Sequence, residues 1–124
     1  MKIASYCGIA ILACMMTGCA TTKKVSEMTA EDRSVLTELK AEVFNCVVTN
    51  LDKYKDGSDD VALLSKVAVN ACEHTIHKIA QETIDRGYSY AASRGFLSAS
   101  SEYAEQTAIR YLLSYKAKKK AEIR

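Results

Sequence analysis

Residues 36–54 read LTELKAEVFNCVVTNLDKY, and residues 61–83 read VALLSKVAVNACEHTIHKIAQET. In the first stretch Leu36, Leu39, Val43, Cys46, Val47, Asn50, Leu51 and Tyr54 recur at steps of three and four. That is the period of one helix face. The second stretch repeats the pattern through Val61, Leu64, Val67 or Ala68, Ala71, Cys72, Thr75, Ile76, Ile79 and Thr83. Between them Asp56-Gly57-Ser58 supplies a turn, and Ser58, Asp59 and Asp60 supply capping oxygens for the second helix. Upstream, Thr29-Ala30-Glu31-Asp32 starts the first helix, with Thr29 as N-cap and acids in the positive first turn. Arg86-Gly87 stops the second, a cation at the negative helix end with glycine beyond it.

Further along, Ala91 to Arg94 reads as no more than a helical turn between Gly87 and Gly95. A third long helix is predicted from about Ser98 or Ser100 to near Lys119, with Tyr103, Ala104, Ala108, Tyr111, Leu112 and Tyr115 as its apolar positions. The expected fold is all-α, a small antiparallel bundle of three long helices over residues 29–124, with or without a short extra helix.

Composition agrees. The 124 residues are 48% hydrophobic and 26% charged, with no Pro, no Trp and five Gly. Sandwiches and barrels need frequent Gly/Pro turns, so a few long helices fit better. A net charge of +2 argues against a dedicated nucleic-acid binder. No phosphate-cradling glycine loop, nucleophile elbow or multi-cysteine zinc pattern occurs, so no cofactor is expected. Neither histidine has an orienting partner within sequence reach, so catalysis is not expected either.

The N-terminus carries the clearest signal. Lys2 precedes an apolar run from Ile3 to Met16. Such a run is roughly 21 Å as a helix, short of a roughly 30 Å hydrocarbon core, and so reads as a secretory signal over residues 1–18. Met16-Thr17-Gly18-Cys19 resembles the lipobox of bacterial lipoproteins, with Met16 where Leu is commonest. The resemblance implies acylation of Cys19, removal of the preceding signal and a membrane partner reached through lipid. Ala20, where inner-membrane retention would call for Asp, implies the outer membrane, facing the periplasm. Residues 19–28 are small or polar and read as a flexible tether of at most roughly 30 Å.

Of five cysteines, Cys7 and Cys14 fall in the signal and Cys19 takes lipid. Cys46 and Cys72 remain, on facing helices in an oxidising compartment, which favours a disulfide over two buried thiols or a redox or metal role. On straight helices their axial offset is roughly 7 Å, so tilt or an asymmetric loop is needed. His74 and His77 share a helix face, but Cys72 points about 200° away from His74. A solvated face is the expected reading, with no metal.

Tyr88 and Tyr90 stand just before the predicted third helix, Tyr103, Tyr111 and Tyr115 lie on it, and Lys118, Lys119 and Lys120 close it. Tyrosines at this spacing either pack in the core or form an aromatic stripe for a partner. The lysines either end a solvated helix or meet an acidic partner or lipid phosphate. The expectation is therefore a lipid-anchored, non-catalytic binding or accessory protein of the envelope, with an envelope protein as partner. Its plan resembles the small helical pilotin lipoproteins of secretion systems, in architecture alone. The alternative is an exclusion or inhibitor lipoprotein of plasmid or phage type that blocks an envelope receptor.

Overall fold

A computed structural model describes residues 22–124. The signal at residues 1–18 and the lipid site Cys19 lie outside the described residues. A single 3₁₀ turn, Val25–Glu27, precedes four helices: α1 (Ala30–Tyr54), α2 (Val61–Ala71), α3 (Glu73–Asp85) and α4 (Tyr90–Glu122).

The caps form as the residues dictate. The Asp32 amide donates to Thr29 Oγ1 at 3.1 Å, and the Asp32 carboxylate accepts from the Thr29 amide, closing a capping box at the start of α1. Asp60 caps α2 by accepting from the Leu63 amide, and Ser89 caps α4 by accepting from the Ala92 amide. Gly87 turns α3 into α4 with φ at +92°, a conformation that disfavours any side chain with a Cβ.

The core is one cluster. Leu39, Val43, Val47 and Leu51 run down the inner face of α1 at steps of four. They meet Leu64, Ala68 and Cys72, then Ile76 and Ile79, and Ala104, Ala108 and Leu112 from α4. Small residues at Ala68, Ala104 and Ala108, all fully buried, let the backbones approach closely. Every buried side-chain polar atom among the described residues has a hydrogen-bond partner, including Thr83 Oγ1, which donates to Ser93 Oγ at 2.9 Å.

Two helix boundaries differ from the sequence expectation, so three long helices become four helices. The predicted second helix is interrupted at Cys72, where φ is −103° and ψ 9° and the amide bonds back to the Val69 carbonyl at 3.0 Å. This tightened turn sits at the cysteine facing Cys46, and the two Cα atoms lie 5.9 Å apart, at disulfide distance. The interruption and the six-residue loop 55–60 absorb the axial offset that straight helices would leave.

The predicted third helix starts ten residues earlier than Ser100, at Tyr90, and runs without a break through Gly95. Gly in a helix interior costs about 1 kcal/mol relative to Ala. Buried Ser93 on one side and the core-packed Phe96 and Leu97 on the other outweigh that cost.

The chain rises along α1, returns along α2 and α3, and rises again along α4. Contacts level by level tie α1 and its turn to α4 and its approach: Asp32 to Tyr88, Lys40 to Tyr103, Asp52 to Tyr111 and Asp56 to Tyr115. The bundle thus has a proximal end, where α1 and α4 begin, and a distal end at the α1–α2 turn. With 33 residues against 25 in α1, α4 is longer by eight, and overhangs the distal end by about 12 Å.

Candidate functional site

At the proximal end one carboxylate gathers three segments. Asp32 is 2% exposed. It accepts from Lys23 Nζ at 2.8 Å, Arg86 NH1 at 3.0 Å and Tyr88 Oη at 2.7 Å. The Lys23 ammonium first, then the Tyr88 hydroxyl and Arg86, hold the carboxyl well below the usual carboxylate range, against the opposing effect of burial. Tyr88 is pushed up to about 12, by burial first and then by its bond to Asp32. Arg86 is fixed from its other side by Glu82 at 3.0 Å. A charged group this deep is tolerable because all its partners are in place.

Lys23 also belongs to the backbone here. Its amide donates to the Gly87 carbonyl at 2.7 Å and it forms an isolated parallel bridge with Tyr88. The segment expected to be a free tether through residue 28 is therefore strapped to the bundle from Lys23 onward. The reason is the pair of partners, Asp32 and the α3–α4 turn, that Lys23 finds only once the chain has folded.

The five candidate tyrosines do not form one stripe. Tyr88 is 4% exposed, edge-on to Phe96 with ring centroids 5.7 Å apart, and is committed to Asp32. Its expected role as a partner anchor is corrected to a structural one. Tyr111 donates to Asp52, and Tyr115 donates to Asp56 at 2.6 Å, so both hydroxyls are already engaged within the bundle. These bonds raise both tyrosines above their ordinary range and lower Asp52 and Asp56 below theirs. Tyr103 is half-buried under Lys40, whose ammonium lies 4.3 Å from the ring centroid. Tyr90 is 71% exposed at the proximal end, beside Arg94. It lies 28 residues from Lys118, roughly 42 Å along α4, so the two cannot share a small patch.

The lysines divide in the same way. Lys119 reaches Asp56 at 3.0 Å, and Lys116 donates to the Ser58 carbonyl at 3.0 Å, fastening α4 to the α1–α2 turn. Lys118 and Lys120 meet no carboxylate at ion-pair distance among the described residues and project from the overhang together with Arg124 and Ile123, which is 81% exposed. His77 lies 3.6 Å from Glu73, both exposed, with His74 alongside. Among the described residues no group of three His, Cys, Asp or Glu side chains could hold a metal.

Sequence reasoning missed a groove of about 380 Å³ between α1 and α4, lined among others by Leu36, Ile79, Phe96 and Tyr103, with Arg33 and Lys40 at its rim. Arg33, Thr37 and Lys40 do share a helix face at steps of four and three, which was the available signal. What lies opposite them depends on α4 reaching back past Gly95.

Comparison with family models, with curated proteins and with solved structures finds no match for this chain. Among the described residues no helix is long and apolar enough to cross a membrane.

Proposed function

We propose that this is a lipid-anchored, non-catalytic binding protein of the cell envelope, acylated at Cys19, held at the outer membrane and facing the periplasm. In this reading it serves a pilotin-like assembly or scaffold role and meets its protein partner at the distal overhang. The observation that carries the reading is the polarity of the bundle. Lys23 is locked to the proximal end by a backbone bond and an ion pair, while Lys118 and Lys120, without a carboxylate at ion-pair distance among the described residues, stand on the overhang at the other end. Four residue steps from Cys19 to Lys23 reach at most about 14 Å, so an acyl chain on Cys19 would hold the proximal end close to the bilayer. One acyl chain binds only marginally, and the lipoprotein resemblance implies more than one.

The partner surface is smaller than the sequence suggested. It consists of Lys118, Lys120, Arg124 and Ile123, with Tyr115 and Lys119 bracing the helix that carries them. A cationic rim of this kind speeds encounter with an acidic partner more than it tightens the complex.

The test uses the full chain with a C-terminal tag. Metabolic palmitate should label wild type, whereas Cys19→Ser should accumulate as unlabelled precursor; label that survives this change overturns the anchor. Crosslinking in native membranes should capture one envelope protein in stoichiometric yield. Lys118→Glu with Lys120→Glu should lose it while processing continues, and capture that ignores this reversal removes the overhang from the reading.

A further inference from the structure

The groove between α1 and α4 lies over the core and apart from the overhang. Leu36, Ile79, Phe96 and Tyr103 make it apolar, and Met28, just ahead of α1, lines it as well. Arg33 and Lys40 stand two turns apart on its rim, both exposed. Among the described residues neither meets a carboxylate at ion-pair distance, and no acidic side chain lines the groove. Two of the three lining hydroxyls are turned inward: Thr37 donates to the Arg33 carbonyl at 2.7 Å, and Ser100 to the Phe96 carbonyl at 2.7 Å. The lining donors left without a hydrogen-bond acceptor among the described residues are therefore the Tyr103 hydroxyl and the two cations, with Lys40 resting against the Tyr103 ring. An apolar trough whose only charged side chains are cations complements one chemistry, a hydrocarbon ending in an anion.

We propose that this groove holds the single chain of a long-chain fatty acid, its carboxylate received at Arg33 and Lys40. Arg offers a planar fork to a carboxylate, and the chain would cover apolar surface that water now meets. Size decides against a peptide helix as the occupant. At about 380 Å³ the groove lies at the low end of the roughly 300–1,000 Å³ typical of small-ligand sites. Its lining runs only from Met28 to Lys40 on one side and from Phe96 to Tyr103 on the other, far short of the roughly 20–30 residues a side of a standard protein interface. The inference needs only the bundle and does not rest on the anchoring or on the partner at the overhang.

The test uses full-length protein in phosphatidylcholine vesicles and a palmitate carrying a photoactivatable diazirine on its chain. After irradiation, adducts should map to the peptides bearing Leu36 and Phe96 to Tyr103. The double variant Arg33→Glu/Lys40→Glu changes only exposed side chains, and circular dichroism verifies its fold. Its adduct yield should fall about tenfold, and the diazirine alcohol of equal length should label wild type as weakly as the acid labels this variant. Adducts spread evenly over the outer faces would overturn the proposal. So would a yield indifferent to the charge reversal, or alcohol labelling equal to that of the acid. If an acidic amphipathic peptide protects the groove peptides and excess palmitate does not, the site belongs to a protein and the proposal fails.

Discussion

Reduction of the Cys46–Cys72 bond tests the packing of α1 on the α2–α3 arm directly. The two cysteines are 26 residues apart, with Cα atoms at 5.9 Å. On the chain-entropy model a loop of that length stabilises the folded state by about 3.5 kcal/mol at 25 °C. A domain of this size has roughly 5–15 kcal/mol in all, so the reduced chain should still fold, though closer to the threshold. Local packing adds little to the loss when the bond is opened by reductant, because both sulfur atoms stay in place. Cys72 is fully buried, and Asn50 Nδ2 lies 3.6 Å from each sulfur. The assay is urea unfolding followed by circular dichroism, with and without a phosphine reductant. With a slope of about 1–3 kcal/mol per molar urea, the midpoint should fall by about 1–3 M. Because the bond acts mainly on the unfolded chain, the slope itself should steepen on reduction. An unchanged midpoint would refute the reasoning, as would two free thiols titrated in denatured protein purified without reductant.

The Asp32 lock predicts acid sensitivity of definite sign. Its carboxyl titrates below the unfolded value of about 3.9, so the stabilisation is complete above that pH and is lost as pH falls through the folded value. Asp32→Asn should lower the melting temperature near neutrality and flatten its decline below about pH 4, leaving the slope due to Asp52 and Asp56. Parallel melting curves for variant and wild type across that range would show that the lock does not form. Gly95→Ala should stabilise by about 0.5–1 kcal/mol, since residue 95 is helical, its φ is not positive and an added Cβ meets nothing within 4 Å. Thermal unfolding reads this, and a destabilised variant would place a break in α4 where the structure has none.

The extent to which the fold could be read ahead follows the range of each signal. The inner face of α1, the Asp56-Gly57-Ser58 turn and the cysteine pair rest on periodicity and short-range turn chemistry, and these hold. Gly95 reads locally as a helix breaker; it is overridden by Phe96 and Leu97 packing on helices far away in sequence. The interruption at Cys72 has no Pro or Gly to announce it and reflects how the arm must bend to face Cys46. Asp32 reads as an ordinary acid in a first helical turn. Two of its three side-chain partners, Arg86 and Tyr88, lie 54 and 56 residues on, and no local pattern joins them. The tyrosine cluster was legible as a count, but Asp32, Asp52 and Asp56, the acceptors that claim three of its hydroxyls, become visible only when α1 and α4 lie side by side.

That parallel alignment also bears on what the basic end of α4 can meet. α1 spans 25 residues, about 37 Å, and α2 with α3 retraces it. The cations at Lys118 and Lys120 therefore lie about 40 Å from the Lys23 strap. Upright on an anchor at Cys19, the bundle would hold them far beyond the roughly 8 Å over which physiological salt screens headgroup charge. In that proposed orientation lipid phosphate would not compete for them, and an acidic partner would be the better of the two readings left open by the sequence. Lys116 and Lys119 reinforce the point. By fastening α4 to Ser58 and Asp56 they fix the overhang in one direction, away from the strap, instead of leaving it free to fold back. A helix end braced in this way loses little further freedom when a partner closes on it, which is the condition under which a few exposed side chains carry a useful affinity.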